Sequence, residues 1–275
     1  MKADVAVGQY CEGSSFLHKL NPKWKILFAI FYITVIFFAK NIFAFALLIL
    51  SAVLLIAMSG INVKVLLRGL RPIVLIIAFT AVINIFWLRG DTEIFHLGFI
   101  HIYLEGVINA LLIVLRVVML VLGTSIILTY TTTPIALTDG IEQLLAPLAK
   151  IKVPVHEFSM MMTIALRFIP TLVEETDKIM SAQKARGSDF STGSLVKRAK
   201  ALIPVLVPLF ISAFRRAGDL ATAMECRCYR GGEGRTRMNV LHSTWRDPVM
   251  LLMLCVLLTL IILLNKYAPG YRLSM

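Results

Sequence analysis

LEGVINALLIVLRVVMLVLGTSIILTY, residues 104–130, carries only two charges, Glu105 and Arg116. As a helix it is about 40 Å long, more than the ~30 Å of a bilayer hydrocarbon core. A helix on a soluble protein would show a charged face, and this run has none. It reads as a membrane span, with Arg116 near its middle. The whole chain agrees with that reading. Apolar types make up 58% and charged types 16% of 275 residues, with a mean hydropathy of +0.82. A soluble domain carries about a quarter charged residues.

Outward from this run lie four more apolar blocks, Ile26–Ala39, Ile42–Ala57, Ile73–Leu88 and Met250–Leu264. Lys40-Asn41 divides the first two, which joined would overshoot a bilayer. No small-residue cleavage site separates them, so the first reads as a span and not a cleavable leader. Pro72 opens the third block, and Gly90-Asp91 and Gly98 mark residues 89–103 as a loop. Residues 16–25 mix apolar side chains with Lys19, Lys23, Lys25 and Trp24, which suits the headgroup level.

The +12 charge is distributed as membrane topology requires. Lys2, Lys19, Lys23 and Lys25 precede the first span, and Lys64, Arg68 and Arg71 follow the second. The first and third connections hold only Lys40 and Arg89, the latter beside Asp91 and Glu93. The N-terminus is therefore expected on the cytoplasmic side. Four spans return the chain to that side, and the fifth carries the C-terminus outside. The fold class expected is an all-α membrane protein of about five transmembrane helices plus a cytoplasmic domain of long crossed amphipathic helices. Residues 1–130 form the arm and four spans, 131–246 the cytoplasmic domain, and 247–275 the last span and C-terminus.

Within 131–246 a helix runs from Pro134 to near Lys150, and a longer one starts near Val155. Phe158, Met161, Ala165, Phe168, Leu172 and Ile179 give the longer one an apolar face. Pro170 is expected to bend it, and Ala185-Arg186-Gly187 ends it, with Gly187 a natural residue after the cap. In the next helix Pro204 and Pro208 interrupt the run Leu202–Phe214, which is too short to span. Gly231-Gly232 is expected to close that helix.

The two helix ends repeat one pattern. Ser181-Ala182-Gln183-Lys184-Ala185-Arg186-Gly187 and Thr222-Ala223-Met224-Glu225-Cys226-Arg227-Cys228 both read hydroxyl, Ala, two long residues, small, Arg, small, 41 residues apart. Small neighbours let another backbone approach, and the guanidinium can fork onto carboxylates or carbonyls of a partner. Two copies point to two equivalent partners, or to two halves of one dimer. Glu174 and Glu175 stand at the same offset from Arg215 and Arg216, so these pairs are expected where the helices cross.

Several functions are excluded. No Gly-x-x-x-x-Gly-Lys-Ser/Thr loop occurs, so ATP is not expected on this chain. His18, His96, His101, His156 and His242 are scattered, and Cys11, Cys226, Cys228 and Cys255 match no zinc or disulfide spacing. No metal, cofactor or catalytic constellation is expected. The basic residues are not interleaved with stacking aromatics, which argues against nucleic acid. Arg116 is expected to pin helix packing through carbonyls or a partner such as Glu105.

Gln9-Tyr10, Leu17-His18-Lys19-Leu20-Asn21-Pro22-Lys23, Thr131-Thr132-Thr133-Pro134, Arg167-Phe168-Ile169-Pro170 and above all Ala182-Gln183-Lys184-Ala185-Arg186-Gly187 carry a family resemblance over nearly the whole chain. The chain resembles the transmembrane (T) component of energy-coupling factor (ECF) vitamin transporters. The resemblance implies a non-catalytic subunit of an ATP-driven importer in a bacterial cell membrane. Its partners would be two ATP-binding-cassette ATPases, identical or different, and one substrate-binding S-component. Arg186 and Arg227 would each dock in a groove of one ATPase, flanked by Ala185, Gly187, Cys226 and Cys228. Cys226 and Cys228 depart from the Ala or Gly more usual there, which implies two unequal sites. Met160, Met161 and Met162, with Pro204 and Pro208, are expected on the surface that holds the S-component, since Met repacks against different partners. A cobalt or nickel uptake system is the nearest alternative. A stand-alone secondary transporter would need polar or broken mid-membrane helices, and the spans are nearly free of acids.

Overall fold

The protein is described by a computed structural model over residues 10–87, 93–97, 100–190, 194–232 and 243–267. Lys2, Gln9, Arg89, Gly90, Asp91, Gly98 and His242, used in the sequence reading, lie outside them. The chain divides into two compact units, residues 1–144 with 240–275, and residues 145–239.

The first unit opens with α1, Pro22–Phe38, capped by Asn21, whose side chain accepts from the Lys23 N–H at 3.0 Å. Helix α2 is Ile42–Ser59 and stops at Gly60, which takes a left-handed φ of 66°. The short α3, Val63–Leu70, is capped by Asn62 and meets α4, Val74–Trp87, at a bend of 63°. Helix α5, Leu104–Thr124, continues into a π-helical segment, Ser125–Tyr130. Thr131 Oγ1 takes the Ile127 carbonyl at its end, at 2.7 Å. Helices α6, Pro134–Leu145, and α9, Arg246–Tyr267, complete the unit.

The structure corrects the loop expected over 89–103. Glu93–Leu97 and Ile100–Tyr103 pair as an antiparallel ribbon between α4 and α5. Its Ile, Phe and Tyr residues favour a pleated strand over coil.

The bundle core is apolar and tightly filled. Tyr32, Phe45, Leu48, Ile126, Ile127 and Ile261 are wholly buried. A side chain at Gly123 would overlap the Tyr32 ring, so only glycine lets α5 approach α1 here. The outward faces are equally apolar, with Leu50, Leu75 and Phe79 exposed. A surface of that kind is stable against lipid and not against water. Arg116 is buried between α1 and α2. It donates to the Ala39 carbonyl at 2.7 Å and lies 5.4 Å from the centre of the Phe45 ring. The acceptor is a free carbonyl at the end of α1, so this cation closes a helix end inside the bundle.

Helices α1 and α9 run parallel, tied at both ends. At one end the buried Asp247 carboxylate accepts from the Asn21 N–H at 3.0 Å and the Thr244 N–H at 2.7 Å. At the other, Asn265 Nδ2 donates to the Phe38 carbonyl at 2.7 Å. Beside Asp247, Lys25 Nζ donates to the Thr131 carbonyl at 2.8 Å and to Thr132 Oγ1 at 3.1 Å. The Cys11 N–H also reaches the Tyr130 carbonyl at 3.0 Å. The arm, the start of α1, the end of α5 and the start of α9 therefore share one end of the bundle.

The second unit holds a 3-10 helix, Ala146–Ile151, then α7, Val155–Ala185, and α8, Leu195–Cys226. Helix α8 is continuous through Pro204 and Pro208, where a break was expected. By length and composition it joins α2, the α5 run and α9 as helices able to cross a membrane, and the α3–α4 pair makes a further one. The charge-free stretch of α8, residues 201–214, is about 21 Å long. Among the described residues there are thus four helices long and apolar enough to cross a membrane, or five if the bent α3–α4 pair is one span.

Asp247→Ala strands the buried Asn21 N–H and the part-buried Thr244 N–H, and removes the carboxylate beside Lys25. We expect a loss of about 2–4 kcal/mol and a lower unfolding temperature of the purified full chain in detergent. An unchanged midpoint would show that the clasp does not hold α1 to α9.

Candidate functional site

The two motif arginines occupy the same position in the same structural device. Arg186 caps α7 and Arg227 caps α8. After Arg186, the Gly187 N–H bonds the Lys184 carbonyl at 3.0 Å and the Ser188 N–H bonds the Gln183 carbonyl at 3.0 Å. After Arg227, the Cys228 N–H bonds the Glu225 carbonyl at 2.8 Å and the Tyr229 N–H bonds the Met224 carbonyl at 3.0 Å. Both are Schellman closures, in which the residue after the cap must turn left-handed. Gly187 does so at φ 91° and Cys228 at φ 57°. The expectation that Gly231-Gly232 ends α8 is thereby corrected. The helix stops at Cys226, and Gly231 turns only later, at φ 88°.

Each closure leaves its arginine exposed on the tip of a rigid helix, with Ala185, Gly187, Cys226 and Cys228 exposed beside it. The surroundings differ. A Cβ on Gly187 would have nothing within 4 Å. Arg227 instead lines a cleft of about 540 Å³ with Met160, Met224, Cys228, Tyr229 and Arg230.

Helices α7 and α8 pair antiparallel. Gln183 Nε2 reaches the Pro204 carbonyl at 3.4 Å, and Arg216 bonds Glu175 at 2.8 Å. Ile164, Phe168 and Leu172 line a groove with Ala217, Leu220 and Ala221. Met160 stands beside Met224 and Arg227. The Gln183 bond has a clear cause: Pro208 has no N–H, so the Pro204 carbonyl lacks its helical donor. With Met160 opposite Arg227, the two arginines are separated along the pair by the rise from residue 160 to 186, about 39 Å.

Of the two ion pairs expected at the crossing, Glu175–Arg216 is formed. Glu174 and Arg215 point to solvent without pairing, because residues adjacent on a helix cannot share one face. Met161 and Met162 are exposed, as are Pro204 and Pro208, whereas Met160 is half-buried toward the end of α8. Tyr229 and Arg230 were not singled out by sequence, and Gln183 and Met224 entered only as members of the repeated motif, with no contact assigned to them. The Pro204–Pro208 spacing was the available signal for Gln183. Among the described residues no cluster of three or more His, Cys, Asp or Glu side chains could hold a metal.

A β-carbon in the left-handed region costs about 1–2 kcal/mol, so Cys228 tightens its cap less well than Gly187. Cys228→Gly is expected to slow amide exchange in the last turn of α8 by about fivefold, after the larger unfolded-state freedom of glycine is subtracted. Exchange that is unchanged or faster would contradict a strained cap.

The sequence model of the cobalt transport protein family CbiQ matches residues 13–240. A protein of Ruminiclostridium cellulolyticum is 52% identical over 265 residues, covering 96% of this chain and 98% of that one. A Clostridium kluyveri protein is 50% identical, covering 96% and 97%. A Bacillus subtilis protein is 46% identical, covering 96% and 100%. All three bear the name energy-coupling factor transporter transmembrane protein EcfT. Together with the apolar helices of the bundle, these likenesses place the chain: it belongs to the CbiQ family as a multi-pass transmembrane (T) component of energy-coupling factor transporters.

Proposed function

We propose that this chain couples two ABC-type ATPase subunits to one substrate-binding S-component, carrying ATP-driven motion into the membrane for vitamin or micronutrient uptake. ATP is bound by the partners, and this chain catalyses nothing. The observation that carries the reading is the pair of exposed arginines on identically closed helix ends, about 39 Å apart. That spacing suits two separate subunits better than one. Each guanidinium would fork onto carbonyls or carboxylates in an ATPase groove. The unequal surroundings of Arg186 and Arg227 suit an ATPase pair that is not identical. Helices α7 and α8, linked through Gln183 and Glu175–Arg216, would then move together as nucleotide opens and closes the pair.

The exposed apolar face of α8, with Leu206, Phe210 and Phe214, and the exposed Met161 and Met162 would take the S-component. Lys19 before α1, Lys23 and Lys25 in its first turn, and Lys64, Arg68 and Arg71 before α4 support a cytoplasmic N-terminus in a bacterial cell membrane. The description of the matched family as cobalt transport proteins favours a metal ion as the alternative cargo.

The test is ATP-dependent uptake by the full complex in vesicles. Arg186→Ala and Arg227→Ala each remove charge-assisted bonds worth about 1.5–3 kcal/mol, so uptake should fall about 10- to 100-fold in each. ATP hydrolysis should persist or become unlinked from transport. Uptake at the parent rate in the double variant would refute the proposal, and uptake by the chain without ATPases would support a secondary transporter.

A further inference from the structure

Helix α3 presents three distinct strips around its axis. Leu66 and Leu70 are buried in the bundle. Val63 and Leu67, one turn apart, are 51% and 58% exposed. Lys64, Arg68 and Arg71 form an exposed cationic strip on the far side of Val63 and Leu67. At 100° per residue, the order around the helix is buried apolar, exposed apolar, cationic. Among the described residues none of these three cations has a side-chain partner. No Asp or Glu occurs between Glu12 and Asp91, so the neighbouring sequence offers none.

The exposed apolar strip is followed by the exposed Val74, Leu75 and Phe79 of α4, and together α3 and α4 are long and apolar enough to enter a membrane. The 63° bend between α3 and α4 turns α3 across the axis of that span. A helix so placed has its apolar edge at the acyl boundary and its cations at headgroup level. A soluble acidic partner would match the charges but would leave Val63 and Leu67 without an apolar environment.

We propose that α3 is a docking surface for anionic phospholipid, with Val63 and Leu67 in the acyl boundary and Lys64, Arg68 and Arg71 on the headgroup phosphodiesters. The site lies in the membrane unit and does not depend on the coupling role of Arg186 and Arg227. It would hold the end of α4 at a fixed depth in one leaflet.

The test uses the purified full chain in mixed micelles holding equal phosphatidylglycerol and phosphatidylcholine, with bound lipid counted by native mass spectrometry. The parent chain should retain phosphatidylglycerol preferentially. Lys64→Gln, Arg68→Gln and Arg71→Gln should each lower that preference by about fivefold, and the exchange Lys64→Arg, Arg68→Lys, Arg71→Lys should preserve it. All three positions are exposed, so single substitutions leave the fold intact. No preference in the parent chain, or a preference that survives all three neutralisations, overturns the proposal. Loss of ATPase co-purification in the neutralised chain with lipid preference unchanged also overturns it, and assigns the strip to a protein partner.

Discussion

The buried Asp247 carboxylate holds the start of α9 against the start of α1, and the rest of the architecture follows from that constraint. With Asn265 fixing the other end on the Phe38 carbonyl, the first and last spans are parallel. If both cross the bilayer, the chain between them crosses it an odd number of times, a condition that α2, α4 and α5 would meet. Helix α8 is also apolar enough to cross by length and composition. Leu206, Phe210 and Phe214 are exposed on it, a surface that calls for apolar cover.

The same economy governs the two helix tips. A Schellman closure satisfies the last carbonyls of a helix without help from neighbouring elements. It leaves the cap residue free to meet something else. Arg186 and Arg227 are the cap residues, so each is presented by a helix end that is already complete. The Gln183 bond to the Pro204 carbonyl and the Glu175–Arg216 pair join the two helices between the tips. The ion pair is half exposed and contributes about 1 kcal/mol or less. Its value lies in setting where the helices cross more than in holding them together.

The apolar helices and the first arginine tip were legible in the sequence because each is written locally. Apolar length marks a span, and a glycine one residue past an arginine marks a cap. Cys228 hid the second cap because a residue with a β-carbon adopts the glycine conformation there. The continuity of α8 was not legible, since a second helix donates to the carbonyl that Pro208 leaves free. The ribbon at 93–103 was obscured by its short strands, and the π-helical end of α5 has no compositional mark. The antiparallel pairing of α7 and α8 could not be read from the 41-residue repeat. Of the two charge pairs that repeat suggested, helical geometry allows one on the facing side.

The central proposal is that both arginine tips face the same side of the membrane as the start of α1. Single-cysteine variants at Lys19, Arg186 and Arg227, in a chain with its native cysteines replaced, can be treated with a membrane-impermeant maleimide in sealed vesicles of each orientation. The account predicts that all three positions react in inside-out vesicles and are protected in right-side-out ones. Reaction of position 186 or 227 from the face opposite to position 19 would contradict it.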